Sequence, residues 1–102
     1  MITVEFFEDN SGFEIKGHSG YSEFGSDIIC ASVSSAAYMA ANTISEIIGS
    51  EIIASDKSGY MKILIKDKND KTDVVVDGLR LHLTELSKQY PKYVIIKKRI
   101  SK

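Results

Sequence analysis

The chain has 102 residues, 43% hydrophobic and 26% charged, with a formal net charge of -1. That size and balance fit one core in a single globular domain, and a lone cysteine excludes an internal disulfide framework and any multi-cysteine zinc site. The acidic, alternating start MITVEFFEDN is unlike a secretory leader, and no apolar run approaches the roughly 20 residues that span a bilayer. We therefore expect a cytoplasmic protein in a reducing compartment, with no membrane partner.

The small net charge hides an imbalance. Residues 1–56 hold nine acids against one base, Lys16, and residues 57–102 hold twelve bases against five acids. Either the acidic half attracts a basic partner, or the two halves fold together and their charges mix on one surface.

In chain order, ITVEFFE (residues 2–8) is rich in β-branched and aromatic types, as strands are. DNSG then supplies a turn, with Gly12 free to take positive φ. FEIKGH alternates, so residues 1–18 read as a β-hairpin. From Asp27 the period changes to three- and four-residue steps through Ile29, Val33, Ala37, Ala40, Ile44 and Ile47. This is an amphipathic helix, capped by Ser26 or Asp27 and ended by Gly49. EIIAS and YMKILIKD are two strands flanking DKSG, the second with Met61, Ile63 and Ile65 on one side. A second helix, capped by Asp70 or Thr72, carries the apolar line Val76, Leu79, Leu83, Leu86 and Tyr90 before Pro91 stops it. YVIIKKRI is a last strand. The order β-β-α-β-β-α-β predicts an α+β fold, a mainly antiparallel sheet with two helices on one face, all in one domain over residues 1–102. Its spare face and open edges call for cover, which predicts a homodimer.

The segment GHSGYSEFGSDIICAS (residues 17–32) holds the only cysteine and one of two histidines. With Asp27 as N-cap, Cys30 falls in the first helical turn, where unpaired amides and the positive end of the helix dipole favour a thiolate. The same amides can face an oxyanion. His18 ends the preceding strand, so a Cys30–His18 pair would be a nucleophile with its base if strand end and helix start meet. The plainer reading makes Cys30 a small buried hydrophobe beside Ile28, Ile29 and Ala31.

Asp27 either orients His18 or only caps the helix. Ser34, one turn beyond Cys30, either polarises the site or permits close packing. Residues 19–26, with Gly20 and Gly25, read as a gate in which Tyr21 and Phe24 contact substrate or tuck into the core. His82 reads as a helix-surface histidine, and Lys97, Lys98 and Arg99 as edge-strand guards or an RNA contact. No phosphate-binding glycine motif or metal-ligand cluster appears, so neither cofactor nor metal is expected.

These residues resemble the signature of the bacterial ribosomal-processing cysteine proteases, the Prp family. The match is Gly17-His18-Ser19-Gly20, then Gly25, then Asp27-Ile28-Ile29-Cys30-Ala31 and Ser34, with Ser19 where alanine is common. Length and element order agree along essentially the whole chain. The resemblance implies an endopeptidase that removes a short, aromatic-ended N-terminal extension from a large-subunit ribosomal protein precursor before ribosome assembly is completed. It implies Cys30 as nucleophile, His18 as general base, Asp27 as their neighbour in the catalytic set, and Gly17, Gly20, Gly25 and Ser34 around the substrate. The alternative is a non-catalytic ribosome-associated module that binds RNA through the basic last strand. A reactive Cys30 would favour the first, and a salt-steep affinity for RNA the second.

Overall fold

A computed structural model of the chain describes residues 1–18 and 27–99. The strands are β1 (Ile2–Phe7), β2 (Gly12–Lys16), β3 (Ile52–Lys57), β4 (Tyr60–Ile65) and β5 (Val94–Arg99). Helix α1 spans Ile28–Asn42 and runs on into a π-helical turn, Thr43–Ile48, while α2 spans Asp70–Gln89. They form one sheet in the order β3-β4-β2-β1-β5, in which only the β1–β5 pair is parallel. The expected α+β order and mainly antiparallel sheet are what the chain adopts.

Alternation along the strands decides what each face does. Val4 pairs with Ile15 and Phe6 with Phe13, and Ile15 and Phe13 pair in turn with Met61 and Ile63. This face packs on Ile29, Val33, Ala37, Ala40 and Ile44 from the first helix and on Val76, Leu79 and Leu83 from α2, all in one buried cluster. Small residues on α1 let it lie close against the sheet.

Four local expectations change. Gly12 lies inside β2; the positive φ of the turn belongs to Asn10, at 61°. Gly12 is needed instead because a Cβ there would stand 2.1 Å from the Ile63 carbonyl oxygen on the neighbouring strand. The cap of α2 is Asn69, whose side chain accepts from the Lys71 and Thr72 amides, while the Asn69 amide donates to the Thr72 hydroxyl oxygen. The π-helical turn shifts the phase of the first helix, so Ile48 packs on the core and Ile47 stays 80% exposed. The same extension makes Ile28–Ile48 a 21-residue helix of mean hydropathy 1.2, long and apolar enough to cross a membrane by length and composition. The sequence reading missed this because alanines and serines dilute the apolar run; here the helix buries its apolar stripe on the sheet.

The other sheet face closes over itself with charge. Arg99 donates to Glu5 at 3.0 and 3.2 Å and also to Glu14, while its guanidinium stacks 5.0 Å from the Phe7 ring centroid. Tyr60 donates to Glu14, and Lys16 stands 3.5 Å from the same carboxylate. Acids of the first half thus meet a base of the second, so the two charge-biased halves do mix. The Arg99 hydrogen bond holds the Glu5 carboxyl below its ordinary value. Burial alone would push Glu14 up, but the Tyr60 and Arg99 hydrogen bonds outweigh it and the net shift is downward.

A depressed folded-state carboxylate stabilises above the unfolded value, and that stability is lost as pH falls through the folded value. Thermal melts should therefore show Arg99→Ala less stable than the parent near neutral pH, with the gap closing under acid, below about pH 4.5. A gap independent of pH would remove this network from the account of stability.

Candidate active site

Helix α1 starts where the sequence places it. Asp27 is its N-cap, in extended conformation, and its Oδ1 accepts from the amides of Ile29 at 3.1 Å and Cys30 at 3.0 Å. The Ala31 amide bonds the Asp27 carbonyl at 3.1 Å. Cys30 therefore sits on the first turn, half-buried and packed against the edge of the core, and takes part in no disulfide. The Ile29 and Cys30 amides, expected to face an oxyanion, are instead held by the Asp27 carboxylate. Capping explains why: those donors point at the nearest short acidic side chain.

His18 lies just past β2, after Gly17, whose φ is 94°. A Cβ on Gly17 would meet the Met1 carbonyl oxygen at 2.3 Å, so this position tolerates no side chain. The Gly17 amide donates to the Gly59 carbonyl at 2.8 Å, which ties the end of β2 to the β3–β4 turn. His18 then lies against that turn: a Cβ on Gly59 would stand 2.8 Å from the His18 Nε2. Gly59 itself has φ of 71°, a backbone region that suits glycine.

His18 and Cys30 line one cleft of about 220 Å³, together with Gly17, Ser34, Tyr38 and the hairpin turn 57–60. The end of β2 and the start of α1 thus border the same cleft. The cleft is small; grooves of about 540 and 790 Å³ lie elsewhere, but their walls hold neither His18 nor Cys30. Chemistry rather than volume picks the site. His82 lines the larger groove, between α1 and α2, and is exposed, as expected of a helix-surface histidine. Gly20, Gly25, Tyr21 and Phe24, with the rest of the expected gate at 19–26, lie outside the described residues. Among the described residues no three His, Cys, Asp or Glu side chains converge as a metal-binding group.

Sequence reasoning missed the second wall of the cleft. Tyr38, Asp56 and Gly59 come from the far end of α1 and from the β3–β4 hairpin, more than twenty residues beyond the motif in the case of the hairpin. The DKSG turn was a readable signal for the glycine, but nothing local tells which histidine it packs against.

Among known proteins, residues 1–95 match the family model described as cysteine protease Prp. The chain is 25% identical over 85 residues, 76% of each chain, to the ribosomal processing cysteine protease Prp of Bacillus subtilis strain 168. It is similar in structure to an essential ribosomal processing protease Prp from S. aureus, crystallised with a covalently linked product peptide. That likeness has a TM-score of 0.89 at 22% identity and covers 97% of this chain and 100% of the other. A crystal structure of a Streptococcus mutans protein matches with a TM-score of 0.79 at 25% identity, over 99% of this chain and 96% of that one. Since the family match runs from Met1 to Ile95 and takes in both His18 and Cys30, the chain belongs to the cysteine protease Prp family.

Proposed function

We propose that the chain is a single-domain endopeptidase that removes the N-terminal extension from a large-subunit ribosomal protein precursor, and so supports ribosome assembly. The observation that carries this reading is the shared cleft of His18 and Cys30, in a chain of this family. His18 takes the thiol proton, and the Cys30 sulfur attacks the scissile carbonyl carbon. The carbon–nitrogen bond breaks as the imidazolium protonates the departing amine, leaving a thioester on Cys30. Water, deprotonated by His18, then releases the acyl product and restores the thiol. Asp27 fixes the first turn of α1 and with it the Cys30 backbone. Gly17 and Ser34 line the cleft on the substrate's path.

Two crystal structures of one relative support a covalent step on a peptide substrate. The S. aureus protease was crystallised with a covalently linked product peptide and with a substrate peptide. A cytoplasmic setting follows from a substrate that is a ribosome component, and a lone cysteine fits a reducing compartment. Open edges at β3 and β5, with Ile53 and Ile95 exposed on the outer sheet face, support a homodimer, which sedimentation at micromolar concentration would read directly.

Incubation with a peptide carrying the aromatic-ended extension, followed by mass spectrometry, tests the function. One cut, directly after the aromatic pair, is the expected result. An uncut peptide under reducing conditions, with the protein folded, would overturn the reading.

A further inference from the structure

The cleft does not stop at Cys30. Residues four apart on a helix stack on one face, and Cys30, Ser34 and Tyr38 all line this cleft from α1. The Tyr38 hydroxyl donates to Asp56 Oδ2 at 2.5 Å. Asp56 pairs with buried Met61 across the β3–β4 ladder, which places it on the face of the sheet that the helices cover. Yet β3 is an edge strand and Asp56 remains exposed, so it lines the cleft wall rather than filling the core.

The charge of Asp56 has little local use. An ionised carboxylate offers about four acceptor positions, and Tyr38 occupies one. Among the described residues no cation stands within 4.0 Å of it, although Lys57 follows it in the strand and lines the same cleft. The bond to Asp56 raises the Tyr38 hydroxyl above its ordinary value, so Tyr38 stays a donor through the physiological range. What Asp56 lacks is a cationic donor.

Reach sets the register. Eight residues of helix separate Cys30 from Tyr38, about 12 Å along the axis, and the tyrosine ring leans back toward the helix start. An extended peptide advances about 3.3 Å per residue, so the pair lies about two to four residues from the scissile bond.

We propose that Tyr38 and Asp56 form a specificity subsite that takes a lysine or arginine side chain of the peptide substrate, two to four residues from the cut. The proposal rests on the protease reading of the same cleft. A purely architectural pair, one that only ties α1 to the edge strand, would affect all peptides alike.

The test uses extension peptides in which one lysine, or glutamine or glutamate in its place, is moved through each position on both sides of the scissile bond. The parent protein should prefer lysine at one position in that window by about five- to tenfold in kcat/KM, mostly through KM. Asp56→Asn should bring that lysine-to-glutamine ratio to about one, and Asp56→Lys should favour glutamate at the same position. The same peptides are titrated onto Cys30→Ala, where binding is read without turnover. If no peptide is cut, the protease reading falls while the binding preference still decides the subsite. Equal handling of lysine and glutamine at every position, or a preference that survives Asp56→Asn, overturns the proposal.

Discussion

Cys30→Ala is expected to abolish cleavage of the extension peptide while leaving the fold and peptide binding in place. Removing the nucleophile from a hydrolase of this kind costs on the order of 10⁶ in kcat, because the partners that remain have nothing to activate. Stability should change by less than about 1 kcal/mol, since Cys30 is only half-buried and alanine is the best helix former at a first-turn position. The Asp27 cap uses the backbone amide of residue 30, which the substitution keeps. A cleavage assay, a thermal melt and a peptide titration on the variant check the three parts separately. Iodoacetamide should block the parent at the same residue in the native state. Cleavage surviving in Cys30→Ala would move the nucleophile elsewhere; a thiol that reacts only after denaturation would make Cys30 core filling.

What the sequence disclosed follows the range of the forces involved. The hairpin, both helices and the last strand were legible because period and punctuation are local, as in Met61-Ile63-Ile65 or in Gly49 closing the first helix with φ of 83°. The Asp27 cap and the first-turn place of Cys30 were legible for the same reason. The π-helical turn was not: Ile47 and Ile48 are the same residue type, and only tertiary packing decides which one turns inward. The reason for Gly12 was misread because a close approach of Ile63 belongs to strand pairing, not to the turn beside it. The Tyr38–Asp56 end of the cleft and the Gly59 seat needed the sheet order before they had any meaning. The basic last strand divides likewise. Lys97 and Lys98 are exposed, but Arg99 is engaged by Glu5 and Glu14, so the sequence run is not one continuous basic patch.

His18→Ala should lose about 10²–10⁴-fold in turnover, the usual worth of general-base assistance. Gly59→Val should reproduce much of that loss without touching either reacting group. Its Cβ would stand 2.8 Å from the His18 Nε2, and His18 is exposed, so the imidazole can swing away rather than resist. A displacement near 1 Å at a reacting group can cost about 10²-fold. Backbone strain is the competing explanation, because Gly59 has φ of 71° and a β-branched residue fits that region poorly. Gly49→Val separates the two. Gly49 has φ of 83°, and among the described residues beyond its chain neighbours no atom lies within 4 Å of its would-be Cβ, so the variant carries the strain without displacing a side chain there. Both variants should melt earlier, by about 1–2 kcal/mol of lost stability, but only Gly59→Val should slow cleavage when both are assayed well below their melting points. The double variant His18→Ala with Gly59→Val should be no slower than His18→Ala alone, since two changes acting through one imidazole do not add. Additive losses, or equal losses at Gly49 and Gly59, would show that the turn supports the fold and does not seat the base.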